Sequence, residues 1–119
     1  MPLQPQIAAL TLALATLATA ALSETLICTG TDPNWQIDLG EDRAQFKYRD
    51  RDGDFKLPHT ASALNDPETK AYTLIGDTVT AILITYPATC NQDDIAAQVL
   101  TQDRSQAILL TGCCRKAPQ

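Results

Sequence analysis

Four cysteines, one histidine and a run of alternating aspartates are the residues of this 119-residue chain whose types and spacing could do chemistry. Zinc-binding cysteines come in close pairs two to four residues apart. Cys28, Cys90, Cys113 and Cys114 contain no such pair, so no metal is expected there. A redox role needs Cys-x-x-Cys or a single activated thiol, and neither pattern occurs. Disulfides remain. Four thiols allow three pairings, among which the sequence does not choose. Cys113 and Cys114 are neighbours, and in a strand they point to opposite faces, so they would take different partners, one each from Cys28 and Cys90.

The other chemical candidates are weaker. Asp50-x-Asp52-x-Asp54 is spaced like the start of a calcium loop, but such a loop needs Gly at its sixth position and Glu at its twelfth. Here those positions are Phe55 and Ala61, and the stretch reads as a solvated, charged hairpin turn around Asp52-Gly53. A Ser–His relay would have to use His59 with Ser62 or Ser105, and no nucleophile elbow or oxyanion-hole motif accompanies them. The five glycines form no phosphate-cradling loop. No catalytic residue and no cofactor is therefore expected.

The compartment decides what the cysteines mean. All 9 Lys/Arg and 14 Asp/Glu lie at or after Glu24. Residues 7–22, IAALTLALATLATAAL, are uncharged and shorter than the roughly 20 apolar residues of a membrane span. They run into the small-x-small sites Ala18-Thr19-Ala20 and Ala21-Leu22-Ser23. Residues 1–23 thus read as a secretory signal peptide, although MPLQPQ lacks the usual Lys or Arg; left uncut, the segment would be a membrane anchor. Residues 24–119 form the exported domain, periplasmic or secreted, where disulfides stabilise small cores. Its net charge of -5 and pI near 4.6 argue against nucleic-acid binding, which needs clustered cations.

Short runs divided by turn signals must position these residues. Trp35, Ile37 and Leu39 alternate with Gln36 and Asp38; Ala44, Phe46 and Tyr48 alternate again. Period two with a polar opposite face predicts half-buried antiparallel strands. Residues 70–75 and 78–86 read as two more, joined at Gly76-Asp77, the second so continuously apolar that it is expected to be central. Residues 58–69 look irregular, residues 93–102 fit either strand or short helix, and residues 107–114 close the chain as a strand. Seven or eight short strands predict an all-β domain, a small antiparallel barrel or sandwich.

The stretch Cys28-Thr29-Gly30-Thr31-Asp32-Pro33-Asn34-Trp35 resembles the C-x-G-T-E-P-F-W motif that opens a family of small exported or lipid-anchored bacterial proteins, largely uncharacterised. Cys90 and the closing Gly112-Cys113-Cys114 also resemble that family's arrangement. Asp32 stands where Glu is usual and Asn34 where Phe is usual. The resemblance implies a small β-barrel of the kind seen in periplasmic lysozyme inhibitors, and brings no activity with it. Physically, Gly30 at positive φ and Pro33 at fixed φ would make a rigid reversal, locked by side-chain bonds from Thr31 or Asp32. Trp35 would then plug a barrel end. The expected function is a non-enzymatic binding module for an envelope protein or cell-wall component, with an inhibitor of a cell-wall hydrolase as one version by fold analogy. The alternative is a carrier of a small ligand or metal ion, using the barrel mouth or the residue 50–54 turn.

Overall fold

The computed structural model describes residues 26–117; the expected signal segment, residues 1–23, lies outside them. Eight strands follow one another: β1 (Leu26–Gly30), β2 (Trp35–Leu39), β3 (Arg43–Tyr48), β4 (Arg51–Ala63), β5 (Asp66–Ile75), β6 (Thr80–Pro87), β7 (Ile95–Asp103) and β8 (Gln106–Lys116). Each pairs antiparallel with the next, and β8 returns to β1, so the sheet closes into a barrel. The all-β expectation holds, and ring closure decides for a barrel over a sandwich.

Three local expectations change. Residues 93–102 contribute a strand, β7, in which Ala97, Val99 and Thr101 alternate into the core. The charged segment at 49–54 is mostly strand: only Arg49 and Asp50 turn, Tyr48 faces Arg51, and Asp52-Gly53 pairs with β3. Gly53 serves packing there, since a Cβ would sit 3.1 Å from the Phe55 ring. Residues 58–69 are not irregular but form the β4–β5 hairpin around Leu64-Asn65, with a register shift between Lys56 and His59. Pro58, which has no N–H to give the ladder, lies in that shift.

The inward face holds the residues that alternation predicts. Trp35, Ile37 and Leu39 are buried, as are Ala44, Phe46 and Tyr48. β6 departs from its expected central burial: Ala81, Leu83 and Thr85 are buried, while Ile82 is 39% exposed. A closed barrel gives every strand one outer face, so a continuous apolar run must show half of itself to the outside.

That outer face differs between the two sides of the wall. On β2 to β4 it carries Asp38, Arg43, Lys47, Asp52, Asp54 and Lys56, with Lys47 directly opposite Asp52. On β5 to β8 the cross-strand rows are Ala71–Ile84–Gln98–Thr111 and Thr73–Ile82–Leu100–Leu109, with no charge in either.

The two ends also differ. At one, the aromatic end, the turns at residues 31–34, 49–50, 76–79 and 104–105 surround Trp35, Phe46, Tyr48 and Phe55, all buried. The Phe46 ring lies 5.8 Å from Phe55 and 6.5 Å from Tyr48. Across this end Arg51 pairs with Asp103, and the Tyr48 hydroxyl lies 3.4 Å from the same carboxylate. The other end is the mouth, where β1 begins and β8 finishes.

Candidate binding site

The residues that sequence singled out meet at the seam where the first and last strands close the barrel. Cys28 on β1 stands opposite Cys114 on β8, and the two form a disulfide on the inner face. Cys113 faces outward and bonds Cys90 in the β6–β7 loop. Neighbouring thiols on one strand therefore take different partners, as strand geometry requires. Two disulfides fit an oxidising compartment. The second one pins a loop whose own bonds close it: Asp94 Oδ1 accepts from the Cys90 N–H at 3.1 Å, and the Ala88 N–H donates to the Asp94 carbonyl at 3.2 Å.

The two halves of the sequence motif are assembled here around one ring. The Trp35 indole Nε1–H donates to the Thr111 carbonyl at 3.0 Å. A Cβ on Gly30 would fall onto that indole and the Thr111 carbonyl, and one on Gly112 would fall onto the Thr29 carbonyl and the indole. The two glycines thus hold open the slot that Trp35 fills. Trp35 is 4% exposed, a core plug as expected. The mechanism of the turn is different from the expected one. No glycine has positive φ; Asp32 takes that conformation instead (φ 54°), which Asp tolerates better than most residues. Gly30 is needed for closeness, not for conformation.

The remaining candidates do not assemble. Asp50 lies in the β3–β4 turn, while Asp52 and Asp54 are exposed on β4. Among the described residues no group of three or more His, Cys, Asp or Glu could hold a metal ion. His59 is exposed on β4, and Ser62, three residues along the same strand, faces the other way. Ser105 lies in the β7–β8 turn.

The barrel mouth, which the carrier reading names without its lining residues, is a cavity of about 610 Å³. Its apolar wall is made by Leu26, Leu39, Leu57, Tyr72 and Ile95. All but Leu39 are only partly buried, although they pack against the core. The rim carries Glu41, Glu68, Asp93 and Asp94 against Lys70 and Lys116. Asp93 is anchored, its Oδ2 accepting from the Lys116 N–H at 2.9 Å. By contrast the aromatic end keeps a smaller cavity of about 370 Å³ beside Phe46, Tyr48 and Phe55. The signal for the mouth was present in principle: Tyr72 and Ile95 share the inward parity of Leu74 and Ala97 on their strands.

The fold and site define a disulfide-stapled, eight-stranded antiparallel barrel whose larger cavity is a partly apolar-walled mouth. Comparison with protein-family models, curated proteins and solved structures returns no match.

Proposed function

We propose that the protein is a non-enzymatic binding module exported to the periplasm or cell exterior, and that what it binds enters the barrel mouth. The observation that carries this reading is the uncovered apolar wall of a cavity of about 610 Å³. Half-buried aliphatic side chains in a concavity favour an occupant that removes them from water, at about 25 cal/mol per Å² covered. Small barrels use their mouths in this way.

The rim charges favour a basic occupant. An arginine or lysine has an alkyl stem for the wall and a cation for Glu41 and Glu68. A basic envelope protein presenting such a side chain fits, and a cell-wall hydrolase is one version, in line with the family resemblance of the Cys28–Trp35 motif. A second reading, a small apolar ligand, is favoured by the volume, which lies within the range of small-molecule sites.

Calorimetry against a panel of basic cell-wall hydrolases, and titration with the neutral fluorophore N-phenyl-1-naphthylamine, separate the two. Leu57→Arg places a bulky cation in the mouth and is expected to abolish either interaction. If neither probe binds, or if binding survives Leu57→Arg unchanged, the mouth is not the site.

A further inference from the structure

The two disulfides meet solvent differently. Cys28 and Cys114 are 0% and 1% exposed, bonded on the inner face of the barrel. Cys90 and Cys113 are both partly exposed, and their bridge lies on the outside of β8. There Cys113 lines a concavity of about 550 Å³ together with Thr29, Asn91, Gln92 and Arg115. Arg115 lies two residues beyond Cys113, so both share the outer face of the strand. It is the one charged residue lining that concavity, on a chain whose net charge is -5. It is exposed and makes no ion pair among the described residues.

We propose that this concavity is a thiol-exchange site, at which the thiolate of an external dithiol attacks Cys113 Sγ and opens the Cys90–Cys113 bridge. The chain is the substrate of this exchange, so it needs no redox motif of its own. Exchange requires an anionic attacking sulfur with access to its target. The concavity gives that access, and Arg115 attracts the anion. One donor thiolate bonds Cys113, the Cys90–Cys113 bond breaks, and Cys90 leaves as a thiolate that takes a proton from water. The second donor thiol, deprotonated, then displaces Cys113, which is protonated in turn. The protein gains two electrons and two protons, and the donor becomes a disulfide. The Cys28–Cys114 bridge offers no such access, and it closes 86 residues against 23, which sets it further from reduction.

Opening the outer bridge releases the loop between β6 and β7. That loop holds Asn91 and Asp94 at positive φ, 53° and 51°, which costs energy for residues other than glycine. The Lys116 N–H still binds Asp93 Oδ2, a weaker tie to β8 than a covalent bond. Asp93 and Asp94 belong to the mouth rim, so the bridge acts as a latch on the mouth.

Graded dithiothreitol on the folded, oxidised protein, quenched by alkylation and mapped by peptide mass, tests this. Cys90 and Cys113 should be alkylated at least about tenfold faster than Cys28 and Cys114. Arg115→Gln should slow the reaction about threefold, the size of an exposed charge interaction, and Arg115→Lys should restore it. A neutral phosphine carries no charge for Arg115 to attract and should reduce parent and Arg115→Gln at the same rate. With Cys90 and Cys113 reduced and trapped, hydrogen exchange over residues 88–94 should rise about tenfold or more while β2 and β3 stay protected. The inference is overturned if Cys28–Cys114 opens as fast, or if loop exchange does not change. It is also overturned if Arg115→Gln leaves the thiolate rate unchanged or slows the phosphine equally. A reduced Cys-x-x-Cys protein that outpaces dithiothreitol at equal thiol concentration identifies a protein donor, and the reverse identifies a small one. None of these readouts uses a mouth occupant, so they stand apart from the binding reading.

Discussion

The two ends of the barrel are held together by different physics. At the aromatic end Trp35, Phe46, Tyr48 and Phe55 are buried, Phe46 packs against Tyr48 and Phe55 beside the smaller cavity of about 370 Å³, and Asp103 ties the β3–β4 hairpin to β7. At the mouth the interior is left open, and the chain is held covalently. Cys114 pairs with Cys28 across the seam and with Ile95 of the mouth wall, and Cys90–Cys113 pins the loop that borders it. A small domain has little core to spare. Leaving one end unfilled forgoes packing, and the two staples offset that loss. On this view the disulfides are the counterpart of the cavity.

The largest expected effect comes from breaking the seam. The Cys28–Cys114 bridge closes 86 residues of sequence, for which the chain-entropy relation predicts roughly 4–5 kcal/mol. Replacing both cysteines by alanine should lower the urea midpoint accordingly. The Cys90–Cys113 bridge spans 23 residues, and its removal should cost about 3 kcal/mol by the same relation. Hydrogen exchange sharpens the contrast, because loss of the second bridge should open residues 88–94 first. Equal losses of protection at both ends would mean that the staples do not serve the mouth in particular.

At the aromatic end the expected costs are those of packing. Trp35→Phe keeps an aromatic body but removes the indole donor to Thr111 and leaves space between Gly30 and Gly112. About 2 kcal/mol is expected, from one lost hydrogen bond plus a small cavity, read as a shifted midpoint with an unchanged denaturant slope. Gly112→Ala, in contrast, asks for space occupied by the Thr29 backbone and should not be rescued by shrinking the ring alone.

How much of this was legible in sequence follows from what each signal depends on. Alternation along Trp35–Leu39 and Ala44–Tyr48 identified inward residues correctly, because period two is a local property of a strand. The opposite facing of Cys113 and Cys114 was legible for the same reason. Which thiol met which was not, since the pairing depends on β8 returning to β1 across the whole chain. Gly30 illustrates a subtler failure. Its place in the motif points to conformational freedom as its role, whereas the actual reason, the approach of Trp35 and Thr111, is tertiary. A barrel mouth is foreseeable once a barrel is expected, but its lining is not, because no single residue marks it. Leu26, Leu57, Tyr72 and Ile95 come from four strands and look in sequence like any other core residues.

The smallest expected effect concerns the clasp across the aromatic end. Asp103 accepts from Arg51 and Tyr48, and Arg49 lies 3.9 Å from it. Arg49 also covers the Tyr48 ring, 5.3 Å from its centroid. Both arginines are largely exposed, with side-chain accessibilities of 60% and 47%, so solvent screening limits their contribution. Asp103→Asn keeps an oxygen for Tyr48 and removes the charge, and a loss of about 0.5 kcal/mol is expected. Salt should shrink the gap between Asp103→Asn and the parent, while the effect of Trp35→Phe should not respond to salt. If Asp103→Asn instead costs as much as Trp35→Phe at all salt concentrations, the aromatic end is held by its charged clasp more than by its rings. The contrast between a packed end and a stapled end would then have to be redrawn.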